Sequence, residues 1–394
     1  MLRLLYLYRN LTRNMLRTVL TCAAVALPIM IYVLSAAVID GLDRFLENSA
    51  KQLRLVVTHK ASIINPLPAG YRAKIESLDP THGRIASVCG MRWIGGKVEN
   101  VSTPLSTLAA QHDTFAATFP DENLSPDELE AWNRDRRAII VGAATARQFG
   151  WKKGDRITIH PSVPPYTPME FNVVSTAPNA KDPVTNFFRL DYLEEELKKI
   201  VVPVGWTADG WVSFIFVKCA TKADLDHFRM AIDDLFAHSP DETKTQDEKA
   251  FMNDFINQIF NLPRNLRILA GVTIFVAVMA AANTMSMNIR DRMNEVATLK
   301  SLGFGRSFVI GLIQTESLTL CALGGAIGAA IPYVAFTHTP LRNYTVPLIQ
   351  TLDVRPVVCG ESLLIAAAIG VLAAAWPAWS AARLHVVEAL RNLE

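Results

Sequence analysis

Groups that could carry chemistry are sparse in this chain of 394 residues. The eight histidines are scattered, and none stands with Cys, Asp or Glu at a metal-ligand spacing. No Gly-rich loop with the phosphate-gripping lysine occurs, so nothing here lets the chain hydrolyse ATP itself. Between residues 40 and 267 no nucleophile is patterned with a base. The expectation is no catalytic residue and no metal site. The charges that do carry a pattern lie in residues 289–303: Arg290, Asp291, Arg292, Glu295 and Lys300. Met293, Val296, Ala297 and Lys300 recur at i, i+3, i+4 and i+7, which gives a short helix one mostly apolar face and one charged face. Gly303 supplies its stop. Two readings stand: a helix that holds a partner, or a solvated turn that only joins its neighbours.

Those neighbours are apolar runs, residues 268–287 and 308–333, each reaching the roughly 20 residues that a membrane-spanning helix needs. Half of the chain is hydrophobic and mean hydropathy is +0.21. That balance describes a membrane protein with a large water-facing part. A net charge of +2 gives no case for nucleic acid.

Residues 1–17 carry Arg3, Arg9, Arg13 and Arg17 among leucines and no acid, the pattern of a basic amphipathic helix on a membrane surface. Residues 18–39 hold no charge, exceed a signal-peptide core and lead to no convincing cleavage site, so they read as an uncleaved span, kinked at Pro28. From residue 40 to 267 charges, prolines and turn residues become frequent. Strands are expected at residues 53–58, 85–93, 138–141, 156–160, 170–175 and 212–218. Helices are expected at 125–133, 143–149, 190–200 and 222–237. The mixture makes an α+β domain. Asp191, Glu194, Glu195 and Glu196 mark a solvated face, and Gly154-Asp155 a turn. Leu42, Phe45, Leu46 and Leu53 in residues 42–55, with Phe251, Phe255, Ile259 and Leu262 in residues 248–262, keep helical spacing. They read either as paired stalks or as helices packed on the domain core. Cys89 and Cys219 both fall in this part, where a disulfide is available if it lies outside the cytoplasm. Residues 357–379 form a fourth span ending at Pro377, and 380–394 an amphipathic tail.

Four spans put both termini on one side. The basic-rich segments 1–17, 289–306 and 380–394 then share that side, which the positive-inside rule makes cytoplasmic. The domain, inserted between spans one and two, is extracytoplasmic. Glu316, inside the span expected at 307–336, is either a functional intramembrane acid or a packing group hydrogen-bonded to Asn283 or Gln314, and packing is preferred. Gly324 and Gly328 make a Gly-x-x-x-Gly step suited to close helix approach.

Particular residues carry a resemblance. Asn283, Arg292, Glu295, Val296, Leu299, Lys300, Leu302, Gly303, Glu316 and Ser317 follow the pattern Asn … Arg-x-x-Glu-hydrophobic … Leu-Lys-x-hydrophobic-Gly … Glu-Ser. Pro377, Ala378, Ala381, Arg383, Ala389, Leu390 and Arg391 repeat a Pro-Ala … Ala-Leu-Arg tail. Gly142, Ala146, Gly154 and Asp155 match one stretch of the domain, and residues 214–236 a later strand-helix unit. Together they resemble the FtsX-like permease family of ABC transporters, MacB-type. Ala297 stands where many members have Gly, and no fused ATPase domain occurs. The resemblance implies a four-span permease of the bacterial inner membrane with domain limits 1–17, 18–39, 40–267, 268–288, 289–306, 307–336, 337–356, 357–379 and 380–394. It implies that Arg292, Met293, Glu295, Val296, Leu299, Lys300, Leu302 and Gly303 form a coupling helix on a separate cytoplasmic ABC ATPase. There Met293, Val296 and Leu299 would fill a groove while Arg292 and Glu295 pair with its charges. ATP and Mg would then sit on that partner and no cofactor on this chain. A second permease copy or homologue, membrane lipid and a periplasmic adaptor are the other partners it implies, and export or extraction by mechanotransmission the activity. The rival reading is a membrane-anchored sensor without transport.

Overall fold

The computed structural model describes residues 15–81, 83–99, 104–162, 167–177, 184–199, 210–260, 262–339 and 354–383. Arg3, Arg9 and Arg13 of the basic segment, residues 340–353, and Ala389, Leu390 and Arg391 of the tail lie outside these residues.

In chain order, α1 (Met15–Ala50) leads through Leu53, at φ +52, into β1 (Arg54–His59). There follow β2 (Leu67–Pro68), α2 (Tyr71–Glu76), β3 (Ile85–Trp93), β4 (Thr107–Ala110), α3 (His112–Thr118), a 3-10 turn (Pro120–Glu122) and α4 (Pro126–Arg134). Next come β5 (Ala138–Ile140), α5 (Ala143–Phe149), β6 (Arg156–Ile159), β7 (Met169–Ser175), β8 (Asn186–Arg189), α6 (Leu190–Leu197), β9 (Trp211–Val212) and β10 (Phe214–Cys219). The domain closes with α7 (Lys222–Phe236), β11 (Thr243–Asp247) and α8 (Glu248–Phe260). Then α9 (Leu262–Asp291), α10 (Met293–Ser301), α11 (Arg306–His338) and α12 (Pro356–Arg383) complete the chain. Two compact units result, one holding residues 42–260 and the other the remaining helices.

The domain is built on a nine-stranded mixed sheet in the order β11-β1-β10-β3-β4-β8-β5-β7-β6, with β2 and β9 paired apart. Alternate side chains feed two cores, one on each face. Val57, Val217 and Ile139 meet Ile75, Phe228, Ile232 and Leu193 on one face. Val56, Phe216 and Ile140 meet Phe115, Trp132 and Phe251 on the other. Helices on both faces therefore bury the sheet, and the α+β class expected from the sequence is what forms. Cys89 belongs to the second core and Cys219 to the first, so they point to opposite faces and cannot be bridged; both are free and buried.

Most strands and helices fall where the sequence puts them. Residues 212–218 instead split at Ser213 into β9 and β10, which join different sheets. Three strands carry no apolar alternation: β4 is half alanine, β8 is buried on both faces, and β11 is a polar edge. Leu42 and Leu46 pack against Ile256, while Phe251 sits on the sheet beside Phe214 at 5.4 Å. Helix-on-helix packing and core packing thus coexist, divided residue by residue. The side chains of Phe45, Ile259 and Leu262 lie outside the described residues.

Arg54, the first residue of β1, anchors this end of the domain. Its Nε and Nη2 donate to Glu248 at 2.6 and 2.9 Å, Nη1 and Nη2 donate to Asp121, and Nη1 also reaches the Thr118 carbonyl at 3.2 Å. Its guanidinium lies 4.3 Å from the Phe119 ring centre. Burial opposes its charge, but the Glu248 and Asp121 bonds more than offset that and raise its pKa. A cavity of about 70 Å³ adjoins it.

Among the described residues, four helices are long and apolar enough to cross a membrane: Thr18–Ala50, Pro263–Asp291, Arg306–His338 and Pro356–Arg383. At 33 residues α11 is about 50 Å long against about 30 Å of hydrocarbon, so its ends project. The fourth helix does not end at Pro377; α12 runs through it to Arg383. Neighbouring helices let a buried proline stay within such a helix, and Pro377 is buried beside Ala374, Ala378 and Ala381. The Gly-x-x-x-Gly step meets α1: a Cβ on Gly324 would lie 2.7 Å from the Cys22 carbonyl oxygen, and one on Gly328 2.5 Å from that of Ala26. Only glycine permits that approach.

Candidate functional site

The charged segment between the second and third spans is not one helix. α9 continues to Asp291, Arg292 breaks it at φ −118° and ψ 17°, and α10 begins at Met293. The other end closes as a Schellman turn: Gly303 N–H donates to the Lys300 carbonyl and Phe304 N–H to that of Leu299, both at 3.1 Å. Gly303 adopts φ +90°, which explains the glycine. Lys300 Nζ donates to the Ala382 carbonyl at 2.9 Å, a cation on the last turn of α12.

The apolar face points the other way from what a docking helix requires. Val296 is buried against Val309, Ile313, Ala374, Ala378 and Ala381, with Ala297 also buried and Met293 and Leu299 half-buried. Val296 is thus a residue of the chain's own packing, not an outward contact. Because Arg292 meets Glu316, Val296 meets Ile313 and Val309, and Lys300 meets Ala382, α10 folds back beside the first turns of α11 and the last turns of α12. Exposed instead are Asn294, Thr298, Leu302 at 71% and Phe304 at 42%, the last stacked on Phe308 at 4.6 Å. Phe304 carried no sequence signal beyond being aromatic after a helix stop.

Arg292 and Glu295 are likewise turned to the chain's own groups. Arg292 Nε donates to Glu295 Oε2 at 2.8 Å and Nη1 to Glu316 Oε2 at 3.0 Å. Asn288 Nδ2 donates to the other Glu316 oxygen at 2.9 Å. The Arg292 side chain is 14% exposed and that of Glu316 9%. A cavity of about 30 Å³, room for about one or two waters, lies among Asn288, Arg292, Glu295, Leu299 and Glu316. Glu316 is therefore hydrogen-bonded to the chain's own side chains, but its partners here are Asn288 and Arg292, not Asn283 or Gln314. Asn283 is exposed, about 140° round α9 from Asn288, and Gln314 donates to the Val371 carbonyl at 3.3 Å. The available signal was one acid in an apolar run and one arginine just outside it; the chain reversal at Arg292 that joins them was not visible. Ser317, next in the motif, donates to the Gly370 carbonyl at 2.8 Å. Arg383 lies 3.7 Å from the Trp379 ring centre. Among the described residues no group of three His, Cys, Asp or Glu side chains is placed to hold a metal.

Four spans, an α+β domain inserted between the first and second, and a short folded helix joining the second to the third define a multi-pass membrane protein of permease type. Residues 18–235 match the MacB-like periplasmic core domain and residues 267–386 the FtsX-like permease C-terminal region. The first match alone covers more than half of the chain, and the chain belongs to this family, the MacB-type ABC transporter permeases. The uncharacterized ABC transporter permease YknZ of Bacillus subtilis is 32% identical over 123 residues, 31% of this chain and 30% of that protein. The macrolide export ATP-binding/permease protein MacB of Bdellovibrio bacteriovorus is 22% identical over 315 residues, 74% of this chain and 44% of that protein. The chain thus covers less than half the length of either relative. Among solved structures, the extracellular domain of the noncanonic ABC-type transporter YknZ from Gram-positive bacteria is similar at TM-score 0.30 and 9% identity, over 49% of this chain and 99% of that one.

Proposed function

We propose that this permease couples ATP hydrolysis on a separate cytoplasmic ABC ATPase to movement of its α+β domain, and that the movement exports or extracts a substrate by mechanotransmission. The observation that carries the reading is the turn after α10. Leu302 and Phe304 are exposed there, next to the exposed Arg306, on a backbone that Gly303 fixes. Large apolar side chains held out on a rigid, charged turn suit a groove on a protein partner. Leu302, Gly303 and Phe304 are the docking tip in this reading. Arg292, Met293, Glu295, Val296, Leu299 and Lys300 hold the tip in place. Basic residues in all three short segments of one side support cytoplasmic termini and an orientation in the bacterial inner membrane with the domain outside. ATP and Mg belong to the ATPase and no cofactor to this chain. A second permease copy or homologue completes the pair that two ATPase subunits require, surrounding lipid covers the outer helix faces, and a periplasmic adaptor is the domain's partner. Macrolide export by the named MacB relative supports the outward direction.

The test is co-expression with ABC ATPases from the same genome, followed by purification and ATPase assay in lipid nanodiscs. Leu302→Asp with Phe304→Asp is expected to lower both co-purified ATPase and stimulated hydrolysis at least tenfold. Asn294→Asp, on the exposed face of the same helix, is expected to change neither by more than about twofold. Full stimulation by the double variant removes the docking role from this turn.

A further inference from the structure

We infer that Arg292 and Glu316 form a latch that makes α10 and the third span a single moving part. The backbone alone gives the opposite expectation. α10 is bracketed by a break at Arg292 and by the Gly303 and Gly305 turn, so a push on it could be absorbed by hinging at both ends. Side chains close the first hinge. One guanidinium holds Glu295 of α10 and Glu316 of α11, and Asn288 of α9 holds the second Glu316 oxygen. Glu316 therefore joins α11 directly to α9 and, through Arg292, to α10, about 15 Å along α11 from Arg306. Lys300 ties the other end of α10 to α12. Arginine suits the position because its planar fork serves two carboxylates at once, which a lysine ammonium does far less well. With both charged groups mostly buried, the pair is shielded from the screening that makes surface pairs weak. The two are positioning residues: they carry displacement from the connector into the spans without touching substrate or nucleotide.

The inference rests on the coupling reading only for what delivers the push; the latch is a property of this chain alone and is tested without the ATPase first. Spin labels go on Asn294→Cys of α10 and Thr315→Cys of α11, both exposed positions, in a Cys359→Ser background, with the full chain in detergent. Pulsed dipolar spectroscopy is expected to give one narrow distance distribution in the parent. Glu316→Gln and Arg292→Gln are each expected to broaden it at least twofold, and the double variant no further, because the two act as one unit. Where Glu316→Gln fails to fold, Arg292→Lys, which keeps the charge and loses the fork, carries the measurement. A distribution as narrow in the variants as in the parent overturns the latch. In the co-expressed complex, Glu316→Gln is expected to retain bound ATPase and lose stimulated hydrolysis at least tenfold. Bound ATPase with undiminished stimulation also overturns the latch, whereas absence of bound ATPase from the parent itself removes the coupling reading and leaves the distance result to decide the latch.

Discussion

Arg54 and Arg292 solve one problem in two ways. Each arginine holds two carboxylates; both of Arg54's come from distant parts of the chain, whereas Arg292 holds its near neighbour Glu295 and, 24 residues on, Glu316. Arg54 uses all five of its N–H donors, on Glu248, Asp121 and the Thr118 carbonyl, and its side chain is 3% exposed. It fastens the strand that follows α1 to the start of α8. Arg292 is 14% exposed, Glu295 34%, and a water-sized cavity opens beside them. The first cluster uses every donor of its arginine, and Arg54, Asp121 and Glu248 are only 3%, 9% and 7% exposed, although a cavity of about 70 Å³ adjoins them. The second is more exposed to solvent, with Glu295 on the open side of the latch. A buried ion pair contributes little net stability, but removing one member strands the other, so the two clusters should differ in how they fail.

The largest effect is expected at Arg54. Arg54→Met strands Glu248 and Asp121 and should cost about 3–5 kcal/mol of unfolding free energy. Chemical denaturation of the detergent-solubilised protein measures it, and adding Asp121→Asn and Glu248→Gln should recover more than half. A loss below about 1 kcal/mol would mean that the cluster fastens nothing. Arg292→Met should cost less, about 1–3 kcal/mol, because Arg292 and Glu295 are already partly exposed to water. Equal losses at the two sites would erase the contrast. Gly328→Ala comes next, at about 1–2 kcal/mol, since its Cβ would meet the Ala26 carbonyl oxygen at 2.5 Å. Thermal unfolding reads that loss, and an unaltered α10–α11 distance in this variant would show that charge, not span packing, sets the latch.

The smallest effect is that of acid on the domain. Burial opposes ionisation of Asp191, but Arg189 prevails and holds its carboxyl below the usual range. Glu128 is likewise opposed by burial and held low by the Ser125 N–H. Lowered carboxylates contribute stability above their unfolded value of about 4 and lose it as pH falls through the folded value. Amide exchange in β8 and the neighbouring α4 should therefore be faster at pH 3 than expected from its value at pH 6. Protection unchanged after correction for intrinsic exchange would show that these two pairs are neutral.

Much of the fold was legible locally. The spans announce themselves by length and lack of charge, and β3 and α5 have the bounds that their patterns give. The strands without a pattern were not legible, because β8 is buried on both faces and β11, though it alternates in burial, is made of polar residues only. At the site, periodicity identified a short amphipathic helix and Gly303 its end. It could not say what the apolar face would meet, since one stripe serves equally for a partner and for the chain's own neighbours.

The sequence by itself determined four spans, an α+β domain between the first two, the stop at Gly303 and the close-packing glycines of α11. These follow from local periods, from hydrophobic length and from the missing side chain of glycine. Tertiary structure alone decided that Val296 faces inward, that Leu302 and Phe304 face outward, and that Glu316 pairs with Arg292. The physical reason is one backbone break at Arg292. It turns α10 back along α11, and only then do a residue of the connector and a residue well inside the next helix come within hydrogen-bonding distance.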